Sequence, residues 1–155
     1  MVNKLTFSRL HFQESGTIWQ IVPQVDLCLL TDLASKYEVD HKCEPAGGYA
    51  GLVSSSYQFG PLDQYFFGRV QDGGLSEANK IAVLGCSCGE VGCWPLLAAI
   101  QLDADCIIWQ DFEQPHRLQR DYSAFGPFRF RAEEYRVVIK DLIVRLGATV
   151  QTQAK

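Results

Sequence analysis

Three cysteines fall close together in the segment Gly85-Cys-Ser-Cys-Gly-Glu-Val-Gly-Cys93, with the spacing C-x-C-x4-C. Thiolates bind thiophilic cations, and three of them with one imidazole complete a tetrahedral Zn²⁺ site. His116 is the nearest histidine downstream, so Cys86, Cys88, Cys93 and His116 are the candidate ligands and zinc the candidate cofactor. The spacing is not the familiar pair of CxxC motifs, and a second reading stays open. In that reading the segment is a β-hairpin whose cysteines alternate between core and surface while Gly85, Gly89 and Gly92 permit the bend. A thioredoxin-type redox motif needs two residues between its cysteines, and Cys86 and Cys88 are separated by one.

A second group follows in Gln114-Pro-His-Arg117, Arg120-Asp-Tyr122 and Phe125-Gly-Pro-Phe128. An imidazole titrates near neutrality, so His116 has the chemistry of a general acid or base. Arg117, Arg120, Arg129 and Arg131 concentrate positive charge able to hold a carboxylate or phosphate. Glu90, Gln114, His116, Arg117, Asp121 and Tyr122 are therefore the candidate binding residues. The structural alternative is an internal Arg117–Asp121 salt bridge, with Tyr122, Phe125 and Phe128 packing the loop onto a sheet. Of the two segments, the loop through His116 and Arg117 is the better place to seek a site. His11 and His41 have no evident partners.

Several chemistries lack their signatures. The chain has no phosphate-binding P-loop, no dinucleotide fingerprint, no nucleophile elbow and no H-E-x-x-H. Glu90 stands beside cysteines, as in zinc deaminases, but the H-x-E and P-C-x-x-C elements are missing. No catalytic set is assigned. The formal charge of −4 is the wrong sign for a protein devoted to a nucleic-acid backbone. No apolar run approaches the length of a membrane span, and the amino terminus lacks the apolar region of a signal peptide. The expected address is the cytoplasm, with all six cysteines reduced.

These residues need elements to position them. At 155 residues, with 47% apolar side chains, the chain can build one core. The expectation is a single domain over 1–150, with 151–155 a frayed tail. Between Ala132 and Leu146, apolar residues at Tyr135, Val138, Ile139, Leu142, Ile143 and Leu146 trace one helical face. Glu133 and Glu134 open that helix, Arg145 suits its end, and Gly147 is its expected stop. A shorter helix is expected over Leu29–Glu38, capped by Asp26 or Thr31, with Leu30, Leu33, Ala34 and Tyr37 inward. Strands are expected at Leu5–Phe12, Thr17–Val22, Lys80–Cys86, Trp94–Leu102 and Cys106–Phe112. Turns at Glu14-Ser-Gly16 and Asp103-Ala-Asp105 join the first and last pairs. The class is α+β: an antiparallel meander of about five strands packed against a C-terminal helix and a shorter second helix. The stretch from Asp40 to Asn79 shows no period, and holds either a short helix near Pro61–Phe67 or an ordered loop.

Taken together, the motifs Gly85-Cys-Ser-Cys-Gly-Glu-Val-Gly-Cys-Trp-Pro-Leu96, Gln114-Pro-His-Arg117 and Asp121-Tyr-Ser-Ala-Phe-Gly-Pro-Phe128 resemble a family of small bacterial proteins of unknown function. The resemblance covers Ala82 to Tyr135 and implies neither an activity nor a ligand set. The expected function is that of a small cytoplasmic binding protein, for a small anionic ligand or a protein partner, with a homodimer as the first guess. The alternative is a metal-dependent or His-assisted enzyme acting on a small anionic substrate.

Overall fold

The computed structural model describes residues 2–12, 18–53, 61–69, 80–90 and 93–153, with 147–153 as backbone only. In chain order the elements are β1 (Leu5–His11), β2 (Trp19–Val25), β3 (Cys28–Leu29), α1 (Leu30–Asp40), β4 (Tyr49–Ala50), β5 (Leu52–Val53), α2 (Leu62–Tyr65), β6 (Lys80–Cys86), β7 (Leu96–Asp103), β8 (Cys106–Glu113), β9 (Phe128–Arg131) and α3 (Ala132–Gln153). The class is α+β, with antiparallel sheets, a C-terminal helix and a shorter one. The meander β6-β7-β8-β9, with β4 added beside β6, forms a five-stranded sheet. The β1–β2 hairpin does not join that meander. It forms a second sheet with β3 and β5, both of which pair with β2.

Local chemistry shapes both sheets. Asp26 and Leu27 link β2 to β3 with φ of +52° and +71°, the backbone sense of a two-residue hairpin that matches strand twist. The Asp26 carboxylate accepts the Asn3 side-chain N–H at 2.7 Å and the Lys4 backbone N–H at 2.8 Å, so it cannot cap α1. Leu29 occupies the N-cap of α1 instead and supplies no side-chain bond, because β3 runs directly into the helix. Pro23 explains why the second strand reads as ending at Val22. It lies opposite Phe7, in the gap on the other flank of β2 between β5 and β3, where a residue without an N–H is tolerated. Register shifts between Ala82 and Leu84 and between Leu97 and Ala99 are bulges that curl the larger sheet. At the second, Asp111 takes a φ of +53°.

The two sheets meet along both margins. Asn3, just ahead of β1, bridges Phe130 of β9, and its backbone N–H donates to the Arg129 carbonyl at 2.6 Å. At the other margin the chain passes from β4 in one sheet to β5 in the other through Gly51. A Cβ there would lie 2.1 Å from the Ile21 carbonyl oxygen, so only glycine fits the crossing. One large apolar cluster fills the interior, from Ile21 and Leu30 to Leu96, Trp109, Tyr135 and Leu142. Its buried polar tips are paired. The Trp109 indole donates to the Tyr135 hydroxyl at 3.0 Å, and that hydroxyl donates to the Phe66 carbonyl.

The helix α3 starts at Ala132 and continues through Gly147 to Gln153. A glycine inside a helix costs only about 1 kcal/mol, and no proline follows to end it. Residues 151–153 thus close the helix, and 154–155 lie outside the described residues. The stretch from Asp40 to Asn79 contains α2 and two two-residue strands, while 54–60 and 70–79 lie outside the described residues, as does the Glu14-Ser-Gly16 turn. No helix among the described residues is long and apolar enough to cross a membrane.

Candidate metal centre

Strand β6 ends at Cys86, which pairs with Tyr49 of β4. Beyond it the Ser87 N–H donates to the Gly48 carbonyl at 2.9 Å, and the Gly89 N–H donates back to the Cys86 carbonyl at 2.9 Å. Gly89 reaches a φ of +98°, a conformation side-chain-bearing residues rarely adopt, and a Cβ there would crowd the Phe12 ring at 3.2 Å. The Cys93 N–H then donates to the Glu90 carbonyl at 3.0 Å, folding the third cysteine back. In consequence the Sγ atoms of Cys86, Cys88 and Cys93 all lie within 4.8 Å of one another. The thiols converge and do not alternate between faces. The S···S edge of a tetrahedral zinc–thiolate site is about 3.8 Å, for Zn–S bonds near 2.3 Å, so small side-chain rotations suffice to close the set on an ion.

The electrostatics differ across the cluster. Cys86 is half-buried, and desolvation pushes its thiol up to about 11, despite the Cys88 N–H that points at its sulfur from 3.4 Å. Cys88 is exposed and shifted the other way, below the ordinary thiol value, by a backbone hydrogen bond at Glu90 and then by the Cys86 thiol. Cys93 is exposed. The three thiols are the whole of the convergent set among the described residues, and the expected fourth ligand, His116, is not part of it.

Beside the thiol turn lies a buried polar knot that the sequence pattern does not announce. Glu38 of α1 is fully buried. Its Oε1 accepts the Gly47 N–H at 2.8 Å, and its Oε2 accepts the hydroxyls of Tyr49 at 2.6 Å and Tyr122 at 2.5 Å. Arg120 Nη1 sits 3.3 Å from Oε2 without the alignment of a hydrogen bond, while Nη2 donates to the Pro45 carbonyl at 2.7 Å. Gln114, almost wholly buried, donates to the Tyr49 hydroxyl at 3.4 Å, and its Oε1 has no partner among the described residues. Burial raises both tyrosines, and the Glu38 acceptor adds to it: Tyr122 is pushed up to about 12 and Tyr49 further. Both phenols are therefore donors at neutral pH.

Trp94 joins the knot to the thiols. It follows Cys93 directly, its indole donates to the Gly47 carbonyl at 2.9 Å, and Arg117 and Arg120 stand 4.4 and 5.4 Å from its ring centre. Of the expected site residues, Gln114, Arg117 and Tyr122 thus come together at this corner. Asp121 does not pair with Arg117. Its carboxylate turns to the Ser123 N–H at 2.8 Å, an Asx-type turn in which the Ser123 hydroxyl and N–H hold its pKa below the ordinary carboxylate value. Glu90 and His116 are exposed. Arg129 and Arg131 belong to β9, at the far end of β8, where Arg129 meets Asp103 at 3.4 Å. Glu38, Tyr49 and Trp94 were not expected as site residues. Glu38 does carry a signal: it continues the Leu30, Ala34 stripe of α1 at i+4 spacing, so a carboxylate falls on the buried face.

Comparison with protein-family models, curated proteins and solved structures finds no match for this chain.

Proposed function

We propose that this is a metal-binding protein that holds one thiophilic cation, zinc in the first instance, on Cys86, Cys88 and Cys93. The observation that carries the reading is the convergence of three sulfurs within 4.8 Å on a turn whose backbone is fixed at both ends. Three thiolates satisfy a d¹⁰ ion such as Zn²⁺, and two of the three are exposed, so the fourth coordination position faces solvent. That position takes water or a small anion, with Arg117 on the face of Trp94, the residue after Cys93, as a cationic neighbour in this corner. A reducing compartment, the cytoplasm by default, keeps the thiols available.

The reading is of a binding protein, since among the described residues no catalytic set surrounds the open position. An enzyme acting on a small anion remains the competing class, and the two differ in what Arg117→Ala does. In the binding protein it weakens anion capture at the metal, while in the enzyme it lowers turnover of a substrate as well.

The test is elemental analysis of protein purified under reducing conditions, with cobalt substitution as a second readout. One zinc per chain is expected, along with thiolate-to-cobalt charge-transfer absorption in the cobalt form. Cys88→Ser and Cys93→Ser, both at exposed positions, should abolish each signal while leaving the circular dichroism spectrum unchanged. A folded wild-type protein that carries no metal, and takes up none from buffered zinc or cobalt, would end the proposal.

A further inference from the structure

A second site lies on the opposite side of the core, where the larger sheet runs out from under α3. Along β7 the inward positions alternate as Ala98, Ile100 and Leu102, the period-2 pattern of a covered sheet face. Their exposure rises from 0% to 8% to 61%, so the apolar face continues while its cover stops. Ile107 of β8, paired with Leu102, extends the same floor. On α3, Ile139 and Ile143 form the facing wall, and Ile143 is 37% exposed although its type and spacing mark it for burial. Phe67, just after α2, closes one side. The result is a groove of about 440 Å³, within the roughly 300–1,000 Å³ range of small-molecule sites.

The rim supplies the second half of the argument. Arg69, Arg136 and Lys140 line the groove, against a single acid among the described residues, Asp63. Arg136 and Lys140 stand one turn apart on α3, on the same face as Ile139 and Ile143, so cations and apolar wall share one helical stripe. Arg69 donates to Gln64 at 3.2 Å, and among the described residues none of the three cations is ion-paired. In a chain whose formal charge is −4, three such cations over one apolar floor are a local reversal of sign. An apolar patch bordered by unpaired cations complements a ligand of the inverse kind.

We propose that this groove binds an anionic amphiphile: an acyl chain lying on Ile100, Leu102 and Ile143, with its acidic headgroup held between Arg136, Lys140 and Arg69. The apolar body gains by leaving water, and the headgroup stays at the rim, where charge-assisted hydrogen bonds compensate its partial desolvation. A neutral amphiphile keeps the first contribution and loses the second. A cationic one is repelled. The site is independent of the thiol turn, and neither metal nor Cys86, Cys88 or Cys93 takes part in it.

The experiment is calorimetric titration of the full chain with decanoate, decanol and decyltrimethylammonium, each kept below its micelle concentration. Decanoate should bind one per chain, decanol about tenfold more weakly or worse, and the ammonium compound not at all, since a hydrogen bond to a charged group contributes about 1.5–3 kcal/mol. The double variant Arg136→Gln/Lys140→Gln, changed only at exposed positions, should lose about tenfold in decanoate affinity on the same reasoning, with unchanged circular dichroism. Leu102→Asp, also exposed, should remove binding altogether. Silence with decanoate, equal binding of the three probes, or full affinity in the double variant would each overturn the proposal. So would a dimer by light scattering that binds no decanoate and that Leu102→Asp splits, because the groove would then be the seat of a second copy.

Discussion

Replacing Glu38 with glutamine tests the polar knot at its centre with the least change of shape. The carboxylate accepts three aligned hydrogen bonds, from the Gly47 N–H and the hydroxyls of Tyr49 and Tyr122, and lies 3.3 Å from the Arg120 guanidinium. Glutamine can keep the Gly47 bond through its one oxygen. Its NH₂ then faces two phenols that now donate, and these must turn to accept. Tyr49 is poorly placed to do so, because its oxygen already accepts from Gln114. Arg120, only 5% exposed in its side chain, loses its counter-charge where bulk solvent barely reaches it.

Hydrogen bonds to a charged acceptor contribute about 1.5–3 kcal/mol each and do not simply add. Leaving one half of a buried ion pair costs about 3–5 kcal/mol. The knot retains one of its bonds, so the lower end applies, and Glu38→Gln should cost about 3 kcal/mol. For a chain of this size that is a fall in melting temperature of roughly 6–12 °C, at about 2–4 °C per kcal/mol. Arg120→Met should cost less, because it leaves the carboxylate its three donors. Urea titrations of the wild type, Glu38→Gln, Tyr122→Phe and the double variant supply both the total and the coupling energy. A loss below about 1 kcal/mol, the scale of a single neutral hydrogen bond, would refute the reasoning. So would a Tyr122→Phe cost that is the same with and without Glu38.

Leu27 is 84% exposed with a φ of +71°, so Leu27→Gly should stabilise by about 1 kcal/mol by relieving the left-handed conformation and creating an Asp-Gly turn, read as a higher urea midpoint at constant slope. Gly51→Ala should be among the most damaging small substitutions, about 3 kcal/mol or more, because the new Cβ meets the Ile21 carbonyl and not a movable side chain; soluble yield and thermal melting report it. Tyr49, Tyr65, Tyr122 and Tyr135 are all raised, chiefly by burial. Above the ordinary phenol value near 10 the unfolded chain releases protons that the folded one retains, so stability is full below that pH and falls as pH rises, for Tyr122 through about 12. Tyrosinate absorbance from these four should therefore emerge together with the loss of circular dichroism, and its earlier appearance in the folded protein would count against the burial argument. Zinc affinity should rise with pH by up to about tenfold per unit for each thiol proton displaced, measured by competition with a chromophoric chelator.

What was legible in the sequence followed from periodicity. The β6 boundaries, Lys80–Cys86, and the start of α3 are as the residue pattern predicts, because β6 is a short continuous apolar run buried along its length and α3 opens a complete 3.6-residue stripe. The division into two sheets was not legible. It depends on the chain crossing at Gly51, between strands of two residues each, and two residues carry no alternation to read. Ile143 belongs to the predicted apolar face of α3 yet is partly exposed, since the stripe says which side turns inward and not how far the sheet beneath it extends. Glu38 was missed for a related reason. Counting apolar residues along α1 selects Leu30, Leu33, Ala34 and Tyr37; Leu30 and Ala34 are fully buried, but the stripe continues to Glu38, and a carboxylate belongs there only because donors converge from segments 11 and 84 residues further along the chain. Likewise, the spacing C-x-C-x4-C fits both an alternating hairpin and a convergent turn, and the backbone bonds of Ser87, Gly89 and Cys93 decide between them.

The position of the knot relative to the thiols has a mechanical consequence. The turn that carries Cys86, Cys88 and Cys93 is short, Gly-rich and mostly exposed, so its own packing cannot hold three sulfurs in register. Its fixed points are the Tyr49–Cys86 pairing, the Ser87 N–H on the Gly48 carbonyl, and Trp94 on the Gly47 carbonyl. All three act on the segment Gly47–Tyr49, and that segment is itself held by Glu38 through the Gly47 N–H and the Tyr49 hydroxyl. A buried charge is a costly way to stabilise a fold, because hydrophobic replacement is often neutral or better. It is a good way to fix a strand end to a helix at one distance and one orientation, since each donor must meet a particular oxygen. Ligand spacing at a metal site is sensitive to displacements of a few tenths of an ångström. The Glu38 knot is therefore best understood as the positioning foundation of the thiol turn. It brings a carboxylate of α1, the strand end at Tyr49 and the loop at Arg120–Tyr122 into one corner, on which half-buried Cys86 and the exposed Cys88 and Cys93 converge.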